Sequence, residues 1–521
     1  MDTKALRQKV LDLAIRGKLV PQDPNDEPAS VLLARIRQQK QQMVKEGKLK
    51  AKDIKNDTII FVGEDNLHYE KFADGSVKCI EDEVPFGLPD GWAWVRLGNL
   101  SAAIQYGLSN SAEPQGTHRL LRITDIQDGK VDWNAVPFTT VNDPEAYLLK
   151  TGDIVFARTG ATVGKSFLIT ETPYPSVYAS YLIRIRLLGS LSPEYIYQFF
   201  DSACYWSQIT DKSVGVGQPN CNGTSLKELF IPLPPISEQL RIVPTAQALL
   251  AYVAKIDAEK KSLLSIIMAT KSKILDLAIR GQLIPQDPND EPASVLLERI
   301  RAEKEELIKQ GKIKRDKKES VIFRGEDNSY YEKIGGKVEN ISDEIPFELP
   351  EGWAWCRGYS CFEGMESTKP QGDFFDYIDI DAIDNRLHCI KEAKHLPVSD
   401  APSRASRAVK DGSVLFSLVR PYLENIALVE EKHSNCIAST GFYVCNSNGV
   451  LLPEFMFFLM ISGYVVNGLN QYMKGDNSPS ISKDNIGNWL YPAPPVGEQQ
   501  TICAKLKTVF TLVENVEKSL N

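Results

Sequence analysis

The sequence has little of what metal sites and disulfide frameworks are made from: five histidines in 521 residues, and nine cysteines with no CxxC pair among them. That spacing excludes a zinc ribbon and a disulfide-stapled fold. No apolar run approaches the roughly 20 residues that a bilayer span needs, and the stretch MDTKALRQKVLDLAIRG is amphipathic and charged rather than basic then apolar. A cytoplasmic chain with no membrane partner is expected. Positive charge is not in excess either, since 60 basic against 68 acidic residues give a net charge of −8. This excludes a protein that coats nucleic acid by bulk charge but leaves a local groove open.

Catalytic motifs are missing as well. The segment from Thr159 to Ser166, TGATVGKS, imitates a phosphate-binding loop, but GxxxxGK[ST] requires glycine where Thr159 stands, and Gly160 is one residue late. The segment is better read as a hairpin. An N/D-P-P-Y/F motif with a glycine-rich cofactor turn is absent, and the Pro89-Asp90 pair has no suitable ExK downstream. The chain is expected to be non-catalytic, with no cofactor or metal of its own.

What is present is a repeat. LDLAIRGKLVPQDPNDEPASVLLARIR (Leu11 to Arg37) returns as LDLAIRGQLIPQDPNDEPASVLLERIR (Leu275 to Arg301), differing at three of 27 positions. GEDNLHYEK from Gly63 matches GEDNSYYEK from Gly325, VPFGLPDGWAWVRLG from Val84 matches IPFELPEGWAWCRG from Ile345, and IPLPPISEQLRIV from Ile231 matches YPAPPVGEQQTIC from Tyr491. A period of about 260 residues is a duplication of whole domains, not a solenoid. Between the matched blocks, residues 95–230 and 356–490 share a pattern of short strands and a helix but little sequence, as two variable modules in a constant frame would.

The frame is helical. Leu249, Val253, Ile256, Lys260, Leu263, Ile267, Thr270, Ile274 and Leu277 alternate in spacing between four and three, a heptad seam. The repeat offsets carry Val509, Val513, Val516 and Leu520 onto its first four positions and Thr3, Leu6, Val10 and Leu13 onto its last four, so the two chain ends are expected to rebuild the central helix between them. Pro244, inside that helix, predicts a kink. Each copy also carries an insertion that opens with PQDPNDEPAS. Residues 30–60 hold eight basic and three acidic side chains and residues 298–320 nine and six, which reads first as a solvated helix face. Trp92, Trp94, Trp353 and Trp355 are expected to anchor the core at each domain entrance.

The PP(I/V)xEQ segments (Pro234 to Gln239, Pro494 to Gln499), the LP(D/E)GWxW segments (Leu88 to Trp94, Leu349 to Trp355), and LDLAIRG with its PQDPNDEPAS box, each present twice in one order, resemble the specificity subunit of type I restriction-modification systems. The likeness covers essentially the whole chain. It implies an α/β (α+β) fold of two target-recognition domains separated by long antiparallel coiled-coil helices, a pseudo-two-fold tandem duplication. The expected segments are 1–22 (N-terminal conserved helix), 23–85 (insertion and linker), 86–236 (first recognition domain), 237–286 (central helix), 287–346 (insertion and linker), 347–496 (second recognition domain) and 497–521 (C-terminal helix). The resemblance implies a partner set of double-stranded DNA, methyltransferase subunits and restriction/translocase subunits, with S-adenosylmethionine, ATP and Mg acting in those other chains. Two alternatives remain at this level: a specificity subunit serving methylation only, and a coiled-coil scaffold joining two protein-binding domains.

Sequence-selective reading needs side chains that reach base edges from loops on a rigid support. The candidates in the first domain are Tyr106, Ser109, Asn110, Arg158, Thr159, Lys165, Ser166, Lys212, Ser213, Gln218 and Asn220. Those in the second are Ser367, Thr368, Lys369, Arg420, Tyr422, Asn425, Lys474, Asn477 and Ser478. Residues 86–235 carry 11 basic and 13 acidic side chains, and residues 347–497 carry 12 and 18. Weak binding of DNA by the subunit alone is therefore expected.

Overall fold

The strand-forming runs IVFA (154–157) and VLF (414–416) are apolar at every position, and this is how a strand reads when both of its faces are covered. In the computed structural model, which describes residues 2–127, 129–212, 220–313, 315 and 317–520, both runs are central strands with every residue buried: Ile154–Ala157 and Val414–Ser417. The chain divides into two compact units, Met1–Glu259 and Lys260–Asn521. Each is built from helices and strands in closely similar order, with Ser101–Tyr106 a strand of the first only and Ala405–Ala408 of the second only.

In the first unit the recognition domain has a four-stranded antiparallel sheet in the order Ser166–Leu168, Ile154–Ala157, Leu182–Leu187, Ser101–Tyr106. A smaller sheet joins Ser176–Tyr178, His118–Leu121 and Phe138–Thr139, the first two in parallel. The second unit repeats the hairpin and its neighbour as Ile426–Leu428, Val414–Ser417 and Phe442–Cys445. Its four-stranded sheet runs Lys394–Pro397, Phe374–Ile378, Ile437–Ser439, Ala405–Ala408. The helices Pro193–Phe199 and Pro453–Met460, each with proline at its first position, cover these sheets from one side.

The repeated motifs meet in each unit. Trp92 donates its indole N–H to Glu238 Oε2 at 2.8 Å, and Trp353 does the same to Glu498 Oε2 at 2.8 Å. The next residue completes the clamp. Gln239 Nε2 donates to Pro234 O and its Oε1 accepts Ser192 N; Gln499 Nε2 donates to Pro494 O and Val450 O, and its Oε1 accepts Leu452 N. The Glu-Gln pair thus ties the start of a frame helix to the tryptophan at the domain entrance and to the turn before the covering helix. All four paired tryptophans are buried, as their spacing predicts.

The insertions are not merely solvated. The helices Ala29–Lys45 and Ala293–Lys309 bury Ala29, Leu32 and Ile36 in one copy and Ala293 and Leu296 in the other. Lys40, 3% exposed, donates to Asp57 Oδ2 and to Gly98 O, both at 2.8 Å. Burial pushes the Lys40 amine down, and the Asp57 carboxylate opposes the shift. After each helix comes a three-stranded meander, beginning Ile59–Val62 and Ser320–Arg324. Each meander holds a buried glutamate, Glu70 or Glu332, gripped at two oxygens by Arg96 or Arg357.

The central helix runs unbroken from Ile236 to Ile279 with Pro244 inside it, so the sequence-predicted kink does not interrupt it. The carbonyl that Pro244 leaves without an N–H is that of Leu240, which is 65% exposed and within reach of water. The seam needs a second correction. Val253 and Ile267 are buried and Ile256, Lys260, Ile274 and Leu277 half-buried, as expected, but Leu249 and Leu263 are 38% and 39% exposed and Thr270 is exposed. In place of the three exposed positions the half-buried residues are Leu250, Leu264 and Lys271, one residue later, and Asp257 and Ala278 join Ile256 and Leu277 on the covered side. Leu6 and Val516 are exposed for the same reason. Polar pairs hold this register: Thr3 Oγ1 donates to Asp257 Oδ1 at 2.7 Å in the first unit, and Lys271 pairs with Glu517 at 3.2 Å in the second.

Burial raises the Glu238 carboxyl above its ordinary 4.5, while the Trp92 hydrogen bond opposes the shift. The folded state therefore holds that proton more tightly than the unfolded chain, and the contribution of Glu238 to stability falls as pH rises from about 4.5. Glu238→Gln keeps an acceptor for Trp92 and removes the titration. Denaturant unfolding from pH 4.5 to 7 should show the variant gaining on the parent as pH rises; a gap that stays constant with pH would contradict this assignment.

Candidate nucleic-acid interface

The loop of each hairpin crosses two other chain segments at the end of its sheet. In the first domain Arg158 N donates to Tyr181 O at 3.1 Å, Cys221 N donates to Arg158 O at 3.0 Å, and Thr159 pairs with Asn220 in a single antiparallel bridge. In the second, Leu418 N donates to Gly441 O at 2.8 Å, Ile481 N donates to Leu418 O at 2.9 Å, and Val419 pairs with Ser480. Each residue lies 260 after its counterpart. One backbone cradle is built twice, and its side chains differ at every position: Arg158 against Leu418, Thr159 against Val419, Tyr181 against Gly441, Asn220 against Ser480.

Four first-domain candidates converge on this cradle. Tyr106, at the end of its strand, accepts Gly223 N on its hydroxyl at 2.9 Å and lies under the Arg158 guanidinium, 4.8 Å from ring centre to Cζ, a cation–π contact. Thr159 and Asn220 stand beside them. Tyr181, 64% exposed, belongs to the same group and was missed; its signal was an aromatic side chain at the mouth of a strand that is otherwise inward-facing. Ser109 follows Leu108, whose carbonyl accepts Ser180 N at 2.7 Å, so it borders the cradle. Lys165 is exposed at the foot of the hairpin, and Ser166 is half-buried in the ladder opposite Phe156. Asn110 is drawn away to Thr140 O at 3.1 Å, and Lys212 is paired with Glu228 at 3.1 Å. Ser213 and Gln218 lie outside the described residues.

In the second domain Arg420, Tyr422, Lys474, Asn477 and Ser478 are exposed around one loop crossing. Arg420 N donates to Pro479 O at 2.7 Å and its Nη2 to Asn477 O at 3.0 Å, while Lys474 and Ser480 exchange backbone hydrogen bonds, both 3.0 Å. The Asn425 carbonyl closes the hairpin by accepting Ser417 N at 3.1 Å. Ser367, Thr368 and Lys369 run beside another strand, where Ser367 bridges Arg407 and Thr368 N donates to Ser406 O at 3.0 Å. Arg407, half-buried opposite Ser367, is a further polar group that the sequence did not single out.

The arginines inside the sheets are committed to the fold. Arg186 grips buried Asp153 through two bonds of 2.7 and 2.6 Å, and Arg184 donates to Leu148 O at 3.0 Å and to Gln105 Oε1 at 2.8 Å. Beneath them burial pushes the Tyr178 phenol up to about 12. Among the described residues no group of acidic, histidine or cysteine side chains could hold a metal ion, and no helix is long and apolar enough to cross a membrane.

A family model of the type I restriction modification DNA specificity domain matches residues 89–266. The type I restriction enzyme EcoAI specificity subunit of Escherichia coli is 27% identical over 96% of this chain and 88% of its own length. The EcoEI specificity subunit of the same organism is 26% identical over 99% and 90%. Over nearly its whole length the chain is thus similar to type I restriction enzyme specificity subunits. A solved chain from work on complex assembly and conformational transition of the type I R-M system shares the fold of this chain, with a TM-score of 0.52 over 84% of this chain and 94% of that one at 17% identity.

The Tyr106 hydroxyl is the acceptor that fixes the Gly223 amide, so Tyr106→Phe should leave that amide without its partner at a cost of about 1 kcal/mol. Hydrogen exchange at Gly223 would then accelerate roughly five-fold, since that cost is about a factor of five at 25 °C. Unchanged protection would mean that the tyrosine does not pin this turn.

Proposed function

We propose that this chain is a specificity subunit that reads a bipartite, interrupted DNA sequence, one half with each recognition domain, and directs methylation and restriction carried out by partner chains. The observation that carries the reading is the doubled cradle, with the same backbone bonds in both domains and different side chains on every rung. A scaffold that bound one protein twice would have no reason to diverge there while keeping three-residue differences across 27 positions of its frame. Divergence confined to loops on a constant support is what two independent readers of different sequences require.

In this reading the groups that touch DNA come from Tyr106, Ser109, Arg158, Thr159, Lys165, Tyr181 and Asn220 in the first domain and from Arg420, Tyr422, Lys474, Asn477 and Ser478 in the second. Asn110, Lys212, Ser166 and Asn425 are engaged elsewhere in the fold and carry less of the role. The partners are double-stranded DNA, methyltransferase subunits and restriction/translocase subunits. Because neither domain has an excess of basic residues, the other chains supply much of the hold on phosphates. The paired frame helices, packed as an antiparallel coiled coil, set the gap between the half-sites.

Three experiments test this. Co-expression with the methyltransferase of its system, followed by mapping of modified bases across the host genome, should give one interrupted motif that needs both chains. Exchanging residues 95–230 for the corresponding domain of a relative should change one half of that motif and leave the other; an intact complex that marks nothing, or a change in both halves, would sink the reading. Inserting one heptad between Lys260 and Thr270 should lengthen the gap without altering either half, and retention of the old gap would show that the helices are not the ruler.

A further inference from the structure

The hairpin loops 158–165 and 418–425 have equal length and close on the same bonds. Ala157 N donates to Lys165 O (2.8 Å) as Ser417 N does to Asn425 O (3.1 Å), and Val163 N donates to Gly160 O (3.1 Å) as Leu423 N does to Arg420 O (2.9 Å). Both loops turn through two left-handed backbone positions. In the first domain these are Gly160 (φ 72°) and Gly164 (φ 89°), the residues for which that region is free of penalty. In the second they are Arg420 (φ 47°) and Glu424 (φ 55°).

A Cβ crowds the neighbouring carbonyl in this region, and neither arginine nor glutamate has the short side chain with which asparagine or aspartate compensates locally. The second domain holds the loop in place from outside. Arg420 N is bonded to Pro479 O at 2.7 Å, Asn385 Nδ2 donates to Leu423 O at 2.7 Å, and His388 Nε2 stands 3.9 Å from the Glu424 carboxylate. Backbone strain maintained by surrounding contacts is characteristic of positions where a side chain is needed for function.

The environment of Arg420 says what that side chain is for. It is exposed, and its one side-chain hydrogen bond among the described residues is the N–H given to Asn477 O. Among the described residues no carboxylate pairs with it, whereas Arg186 in the first domain is gripped by Asp153 and Arg184 donates to Leu148 O and Gln105 Oε1 inside the fold. The rest of the guanidinium fork is left for a ligand, and a fork of parallel N–H donors matches O6 and N7 of guanine in the major groove. In the first domain, a Cβ built at Gly160 would meet nothing within 4 Å. There the place is open, and the cation stands two residues earlier, at Arg158 over Tyr106.

We propose that Arg420 is the specificity-determining residue with which the second domain reads one G·C pair of its half-site, and that its left-handed backbone is retained because it presents the guanidinium to that base. The inference rests on the DNA-recognition reading above. The two domains thus read from different rungs of the same cradle.

The test uses the full chain co-expressed with its methyltransferase, and its readout is the map of modified bases on host chromosomal DNA. Arg420→Gly should unfold no lower than the parent, because glycine accepts the left-handed position, and should relax a single G·C position in one half of the motif while the other half stays intact. Arg420→Lys, which keeps the charge but loses the fork, should relax the same position. Gly160→Arg, which adds a guanidinium where there is room for it, should alter only the other half. An unchanged motif in Arg420→Gly, relaxation in both halves, or a lowered unfolding midpoint would each overturn the proposal, the last by making Arg420 structural. A parent that marks no interrupted motif would instead overturn the recognition reading itself, and the proposal with it.

Discussion

The hydrogen bond from an entrance tryptophan to the glutamate at the start of a frame helix is the constraint on which each unit depends. Trp92 and Glu238, like Trp353 and Glu498, are almost fully buried, so the pair must be satisfied internally or cost the unit heavily. The strand that follows each tryptophan, Ala93–Arg96 or Ala354–Arg357, pairs with the strand just before the helix, Phe230–Leu233 or Leu490–Ala493. The first and last strands of a recognition domain therefore meet at one point, and the glutamine beside the glutamate binds the turn before the covering helix to the same point. Everything between those strands is free to vary, provided it returns to this junction.

That freedom explains how the charge is distributed. A domain with no excess of basic residues cannot rely on bulk attraction to phosphates, and several of its arginines are used structurally: Arg96 and Arg357 on buried glutamates, Arg184 and Arg186 within the sheet. Burial drives the Glu70 and Glu332 carboxyls up, but the guanidinium hydrogen bonds win and hold both below their ordinary value. These pairs fix the meander of the insertion to the domain entrance. The cations that remain at the loop crossings, Arg158, Arg420 and Lys474, are few, and so their placement rather than their number can discriminate.

Much of this was legible in the sequence, for identifiable physical reasons. The duplication, the strands GDIVFAR and GSVLFSLVR and the hairpin at 159–166 could be read because period, turn residues and apolar runs are local signals. The seam was half legible. A four-three alternation has two solutions that share every second rung, and Leu249 and Leu263 made the wrong one look more apolar. The observed register also draws in Asp257 and Lys271, whose partners Thr3 and Glu517 are distant in sequence and give no local sign. Buried Lys40 was invisible for the same reason: nothing in a basic helix marks the one lysine that will meet Asp57 and a carbonyl in the core. Among the loop candidates, residue type was a fair guide to the neighbourhood and a poor guide to the individual. Asn110 and Lys212 have partners within the fold, whereas Tyr181, which belongs to the cradle, looked like part of a strand.

The left-handed positions of the hairpin carry the argument one step further. Had the loop been under selection for stability alone, glycine would be expected at those places in both copies, because both turn through left-handed backbone there. One copy did keep glycine, at positions where the space above Gly160 is empty and the ring of Trp206 closes on Gly164. The other accepted arginine and glutamate and surrounded them with Asn385, His388 and the 474–480 loop. A duplicated support makes such a comparison possible within one chain: where two copies share the backbone bonds of the cradle and only one bears a costly residue, the cost marks a requirement of that copy's own target and not of the shared cradle.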